Sequence, residues 1–428
     1  MRRKYLFAGQ VLFLFAVAGT LYYRKGSFVS SPEPVHIPDG PRVDVEPPAG
    51  KTGIIPTEEI ARYINAILDP KSEDLPRLQC PSLPNPSRYD FFRAPTSLAE
   101  MSASSPSAKR GSSKVKYFFA IDLREALPVL PRLLGSVVET IRFLGPSNCA
   151  LSVVEGNSND GTYDVLHALR PKLDSLATTY YLRSSTINPQ QGNRIAKLAE
   201  LRNIAVQPLR EEPARYTADT TVIFLNDVAP CSEDILELIY QRHAQNADVV
   251  CPLDYTYVGR DPTFYDVWIA RGMNGDSFFE IPPDGNWNSA WNLFWNDDDA
   301  KSQLFSRIPF QVFACWNGAA VFTAKPFVEK VISFRAPYDG ECSQGEPQLF
   351  CKDMWFHGYG KIAVVPGVSL EYSDDNAKKI KELKGYTSDW AKIDTTDIKI
   401  QWKSKPPEKV KCMPSYDQQT FRPWNETL

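Results

Sequence analysis

Asp227 closes an apolar run, Thr221–Leu225, and is followed by Pro230 and then Ser232-Glu233-Asp234, a good start for a helix. A run without polar alternation suits a strand covered on both faces. In open α/β sheets, ligands gather at the carboxyl ends of such strands. A carboxylate there is a hard oxygen ligand for Mg²⁺ or Mn²⁺, the ions that hold a diphosphate. Glu155 and Asp160 follow a second apolar run, in the loop EGNSNDGT. Short acidic and amide side chains at that place can accept hydrogen bonds from a base or a ribose. Arg194, Arg202 and Asn203 share one helical stretch, and Arg202 has the reach for a phosphate. Each of these residues also has a plainer use. Asn226, Asp227 and the 155–162 loop suit turns and helix caps, and Arg202 suits a solvated helix face. Taken singly, the residues leave both uses open.

The elements that must position them alternate. Residues 115–121 (VKYFFAI) predict a strand ending at Asp122, and an amphipathic helix follows Pro131. Strands at 149–154 and 178–182 flank a helix at 163–173; a helix at 194–209 leads into Thr221–Leu225 and a helix from Ser232 to residue 245; 248–252 is a further strand. This βα alternation implies an α/β fold with a mostly parallel central sheet and right-handed crossovers. Beyond Asp254 the pattern loosens. Residues 265–279 carry Asp266, Trp268 and Arg271, and 284–299 is a loop rich in Asn, Asp and Trp. Two short strands surround Trp316-Asn317-Gly318, Glu346–Phe356 is a helix with Pro347 in its first turn, and 361–365 is a strand ended by Pro366-Gly367.

The chain ends have their own character. Arg2-Arg3-Lys4 precedes an apolar run from Tyr5 to Tyr23, whose 19 residues would span ~28 Å as a helix, enough for a bilayer core. Basic residues before that run predict a cytosolic tail at 1–4, a signal-anchor at 5–23 and a luminal remainder. A cleaved signal peptide is the competing reading, because Ala16-Val17-Ala18 suits a cleavage site. Proline punctuates 24–113, which reads as an extended stem with one amphipathic helix at Thr57–Leu68. A small-residue linker at 102–113 sets the domain boundary near Lys114, so the expected divisions are 114–372 for the catalytic domain and 373–428 for a polar, irregular extension. The eight cysteines allow disulfides without fixing their pairing. Asn425-Glu426-Thr427 is the only glycosylation sequon.

Composition and absent motifs narrow the function. Lysine and arginine number 48 against 51 acids, with no basic patch of the kind that binds nucleic acid. The sequence lacks H-E-x-x-H, G-x-S-x-G, G-x-G-x-x-G and Walker A patterns, and no C-x-x-C pair suggests a zinc or thioredoxin motif.

The order VVEGNSNDGT, RIAKLAELRN, IFLNDV resembles the metal-dependent GT-A glycosyltransferases, whose fold is Rossmann-like. FLNDVAPCSEDILELI, DVVCPLDY, YDVWIARGMNGDSFF, CWNGAAVF and ECSQGEPQLFCKDMW extend the likeness, over roughly 116–372, to the fungal capsule-associated α-1,3-mannosyltransferases of glycosyltransferase family 69. That resemblance implies GDP-mannose as donor, a glycan (mannoside) acceptor, a retained α-linkage, Mn²⁺ or Mg²⁺ as cofactor, and a single-pass type II protein of the Golgi membrane. It implies nucleotide contacts from Glu155, Asp160, Arg194, Arg202, Asn203 and Asn226, and sugar contacts from Asp254, Trp316 and Asn317. The family's Asp-x-Asp pattern is degenerate here, with a single carboxylate, Asp227, beside Asn226. The metal is therefore expected on Asp227 with His357 as a further ligand. Glu346 and Asp353, seven residues apart on one helix face, are the expected catalytic acids, with Glu341 close by. Two alternatives stay open: another donor such as UDP-xylose, and a non-catalytic glycan-binding subunit that keeps the fold.

Overall fold

β4 (Thr221–Leu225) is buried at every residue, with Val222 and Phe224 facing one core and Ile223 and Leu225 the other. It is the centre of a nine-stranded sheet. The other strands are β1 (Tyr117–Leu123), β2 (Cys149–Glu155), β3 (Thr179–Ser184), β5 (Val249–Val258), β6 (Asp261–Phe264), β7 (Phe310–Gln311), β8 (Ala319–Thr323) and β9 (Ile362–Leu370). Their order is β3-β2-β1-β4-β8-β5-β9-β7, with β6 paired to β5. β3, β2, β1 and β4 run parallel, as do β5 and β9; β8 is antiparallel to both of its neighbours and β7 to β9. The mostly parallel α/β sheet expected from the sequence is present. The carboxyl ends of β1, β2, β4, β5 and β9 therefore share one edge with the amino end of β8.

This is a computed structural model, and it describes residues 50–83, 86–93, 114–258, 261–392 and 398–428. The helices are α1 (Thr57–Leu68), α2 (Leu130–Leu144), α3 (Thr162–Ser175), α4 (Arg194–Glu211), α5 (Ser232–Ala244), α6 (Asp298–Phe305), α7 (Lys325–Val328), α8 (Glu346–Phe356), α9 (Asp374–Lys384) and α10 (Thr387–Trp390). One face of the sheet packs α4, α7 and α8; the other packs α2, α3 and α5. A hairpin, β10 (Lys409–Ser415) with β11 (Gln418–Pro423), ends the chain.

Three expectations change. The first is the stem. Its described part lies on the sheet domain. α1 buries Ile64, Ala66 and Ile67; Tyr89 is fully buried; and Cys80 is disulfide-bonded to Cys231. Arg88 makes two 2.8 Å bonds to Glu237, and Asp164 accepts from the N–H groups of Gly53, Ile54 and Ile55. The prolines there shape a chain that follows a surface. The second is the C-terminal extension, which is largely regular and anchored: Lys381 meets Asp234 at 2.7 Å with both side chains buried, and Cys412 is bonded to Cys342. The third is β9. Pro366-Gly367 does not end it, because residues 365–368 bulge opposite Pro252 alone and pairing resumes at Leu253↔Ser369.

The third disulfide joins Cys251 to Cys315, leaving Cys149 and Cys351 as buried thiols. The apolar run 5–23 and the linker at 102–113 lie outside the described residues. Among the described residues no helix is long and apolar enough to cross a membrane.

Candidate active site

Helix α4 opens at Asn193, whose side chain accepts from Ala196 N at 3.1 Å, and its first residue, Arg194, is exposed. Two turns on, the helix turns Arg202 into the sheet edge. Its Nε donates to Glu346 Oε1 at 2.8 Å and its Nη1 to Asn226 Oδ1 at 3.5 Å. The guanidinium lies 4.5 Å from the ring centre of Trp316, a cation–π distance. Trp316 is buried, and its Nε1 donates to Asn226 Oδ1 at 3.1 Å. Arg202, Asn226, Trp316 and Glu346, spread over 144 residues of sequence, thus form one network. Glu346 is the first residue of α8 and is 2 % exposed. Gly345 before it has no room for a Cβ, which would run into Ile269.

Further carboxylates crowd this network. Asp122 follows Phe118 and Ala120 in strand parity, so it faces the α4 side. Its Oδ1 is enclosed without a partner among the described residues. Burial pushes its carboxyl up to about 7, with Arg202 opposing and Glu346 adding to the shift. Asp266 accepts from Asn317 N at 2.8 Å, and burial raises it to about 6. Asp254 is fully buried; its Oδ2 accepts from the Tyr372 hydroxyl at 2.6 Å and its Oδ1 has no partner. Burial, then the Asp266 charge, hold Asp254 well above the usual carboxylate range. Asn317 and Gly318 both have positive φ, at 57° and 77°. In that turn Asn317 Nδ2 reaches Pro252 O at 2.7 Å, and Gly318 O accepts from Asn226 N at 2.9 Å, which ties β8 to the β4 end. Asp227, next in the chain, keeps solvent contact, yet surrounding protein raises its carboxyl by desolvation. A carboxylate in an open recess experiences both.

Asp122, Asp266 and Tyr372 are the site residues that sequence reasoning passed over. Asp122 carried the same strand-end signal as Asp227. Asp266 and Tyr372 lie in irregular chain and reach the site only through the topology.

Other expected residues are engaged elsewhere. Glu155 is buried and accepts from Ser158 N at 2.7 Å, Asn157 N at 3.1 Å and the Ser184 hydroxyl at 3.2 Å. Asp160 accepts from Leu127 N and from Thr162 N and Oγ1. Both serve the loop caps that were the plainer use of this stretch. Asn203 clamps Phe334 through its N and O atoms. Asp353 takes two 2.7 Å bonds from Arg335, which also holds Glu341. His357 caps the far end of α8, about 16 Å along the helix from Glu346. The structure therefore does not bring Asp353 or His357 to the Asp227 recess.

A family profile described as "Cryptococcal mannosyltransferase 1" matches residues 116–353. The alpha-1,3-mannosyltransferase CMT1 of Cryptococcus neoformans var. neoformans serotype D is 33% identical over 387 residues, covering 86% of this chain and 81% of that protein. The chain belongs to the cryptococcal mannosyltransferase 1 family. Similar solved structures include GalNAc-T7 with UDP, GalNAc and Mn²⁺ (TM-score 0.39, 14% identity, 80% of this chain and 55% of that one). Another is the mannosyltransferase PcManGT from Pyrobaculum calidifontis with GDP-Man and Mn²⁺ (TM-score 0.34, 11% identity, 67% and 64%). The match spans less than two thirds of each of these solved chains.

Members of a mannosyltransferase family raise the question of a metal. Among the described residues no cluster of three or more His, Cys, Asp or Glu side chains could hold one. Asn226 Oδ1 is already taken by Trp316 and Arg202. Asp227 is the carboxylate of this edge that is exposed to solvent. One carboxylate fits a cation that arrives with a diphosphate and takes its other ligands from phosphate and water, and it does not fit a resident, protein-only metal site.

Proposed function

We propose that this mannosyltransferase-family protein transfers mannose from GDP-mannose to a mannoside acceptor, with retention of the α configuration and formation of an α-1,3 linkage. The α-1,3-mannosyltransferase relative supports the sugar and the linkage. The observation that carries the reading is Glu346, buried at the strand-end edge and fixed by Arg202, in the same turn network as Asp227.

The acids at this edge would repel a bare diphosphate. Arg194 at the rim and a divalent cation on Asp227 would reverse the sign of the field that the diphosphate meets. When bound, that cation supplies Lewis-acid stabilisation of the leaving diphosphate. Arg202 orients Glu346 by its Nε bond among the other carboxylates. A fixed carboxylate near the anomeric carbon stabilises the positive charge that develops there, or attacks as the nucleophile of a double displacement. Trp316 and Asn226 hold Arg202 in place and exclude water from beneath it. The fold reading consistent with this arrangement is GT-A, and the basic residues before the apolar run 5–23 support a type II anchor in the Golgi membrane.

Product analysis by NMR tests the proposal, using a panel of nucleotide sugars with mannoside acceptors and Mn²⁺. The expected product is an α-1,3-mannoside made from GDP-mannose. Turnover of UDP-xylose instead would change the donor. No turnover together with no metal-dependent GDP binding would favour a glycan-binding subunit.

A further inference from the structure

Tyr265 is a large aromatic residue left 45 % exposed beside the Asp227 recess. Its N–H is held by Asp254 O at 3.2 Å, and its ring stands against Tyr372, with centroids 4.9 Å apart and planes at 60°. Tyr372 is itself fixed by the 2.6 Å bond to Asp254. A Cβ on Gly318 would lie 3.4 Å from the Tyr372 oxygen and 3.0 Å from Val228, so Tyr372 abuts the turn that carries Asn226 and Asp227. The Tyr265 hydroxyl is raised by burial and then by the carboxylates of Asp254, Asp266 and Asp227, with Arg194 opposing. The Tyr372 contact sets the ring beside the Gly318 turn, whose carbonyl accepts from Asn226 N.

The side of the recess matters. Arg202, Asn226 and Glu346 belong to the β4 end, and Tyr265 and Tyr372 to the β5–β9 end, with β8 between them. Two inter-strand spacings separate these ends, about 10 Å. A donor whose anomeric carbon lies at Glu346 leaves the β5–β9 side for the second substrate. One face of a pyranose is a patch of C–H groups, which an exposed aromatic ring covers at low conformational cost.

We infer that Tyr265 is the platform on which the acceptor sugar stacks, and that Tyr372 and the buried Asp254 form a hydrogen-bonded brace that positions it. The inference rests on the mannosyl-transfer reading for the identity of the acceptor.

The test compares Tyr265→Ala, Tyr265→Phe and Tyr372→Leu in the whole protein. Acceptor KM is measured at saturating GDP-mannose and GDP affinity by calorimetry with Mn²⁺. Tyr265→Ala should raise acceptor KM by roughly tenfold, the order of one lost aromatic contact. Tyr265→Phe should restore it to within a few-fold, Tyr372→Leu should fall between them, and GDP affinity should stay unchanged in all three. An equal loss of GDP affinity in Tyr265→Ala would assign the ring to the donor, and an unchanged acceptor KM would remove it from the site; either overturns the inference. Saturation-transfer NMR with α-1,3-mannobiose separates this from failure of the functional reading. If the wild type transfers no mannose yet shows mannobiose contacts that Tyr265→Ala loses, the platform stands. Equal contacts in both proteins overturn it.

Discussion

Helix α8 carries acids at its start and in its second half, and the two sets are balanced differently. Asp353 and its neighbour Glu341 meet two cations: Arg335 bonds both, and Lys352 reaches Glu341 at 2.5 Å. At the start of the helix, Glu346 has Arg202 as its one cationic partner among the described residues, and Asp122 and Asp266 lie within the electrostatic reach of the same pair. The first arrangement neutralises itself. The second leaves oxygens, Asp122 Oδ1 and Asp254 Oδ1, with no partner among the described residues. A protein gains no stability from such an imbalance, and it persists where a ligand completes it. Paired acids brace the helix, and underpaired acids mark the end proposed to act on the donor.

The sharpest way to break this comparison is at the recess. Asp227→Ala should weaken Mn²⁺-dependent GDP binding by at least about 100-fold, since even outer-shell partners of a metal cost up to that much, while the protein stays folded. Calorimetry that finds affinity within a few-fold of wild type would return Asp227 to a turn-capping role.

A smaller effect, on stability, belongs to the balanced set. Asp353→Asn should cost about 3 kcal/mol, the low end for breaking a buried pair, because Glu341 still holds Arg335. Denaturant unfolding reads that loss. Mannosyl transfer by the folded variant should remain within a few-fold of wild type, and a large loss of turnover at unchanged stability would make Asp353 catalytic.

The smallest effect is in pH dependence. Burial raises Asp122 to about 7 and Asp266 to about 6 in the folded protein, whereas an unfolded Asp is half deprotonated at about pH 4. The folded state thus binds more protons across that window, and their contribution to stability falls as pH rises from about 4 to 7. Asp122→Asn should flatten that decline. Melting midpoints at pH 5 and pH 7.5 that differ as much in the variant as in the wild type would contradict the burial of this carboxyl.

Much of this frame is legible in the chain. Thr221–Leu225 and Glu346–Phe356 emerge with the boundaries they have in the structure, because each is an apolar pattern between strong stop signals: Asn226-Asp227 for the strand, Gly345 and Pro347 for the helix. Strand parity is what separates similar residues. Glu155 and Asp122 both follow apolar runs, but Asp122 shares the face of Ala120 and lies within the electrostatic reach of Arg202, whereas Glu155 turns inward to cap its own loop. Non-local ties left no trace. The Cys80–Cys231 link and the burial of Tyr89 join the proline-rich segment to α5, and proline density alone reads as a free stem. The pairing of Arg202 with Glu346 depends on where β8 inserts, which no local pattern encodes.

The most direct test is Glu346→Gln, which keeps the size of the side chain and removes its charge. Turnover of GDP-mannose with a mannoside acceptor should fall by about 100-fold or more, the order seen when one transition-state electrostatic contact is lost, with GDP affinity within a few-fold of wild type. Full turnover with reduced stability would make Glu346 a structural partner of Arg202 and move the catalytic acid elsewhere.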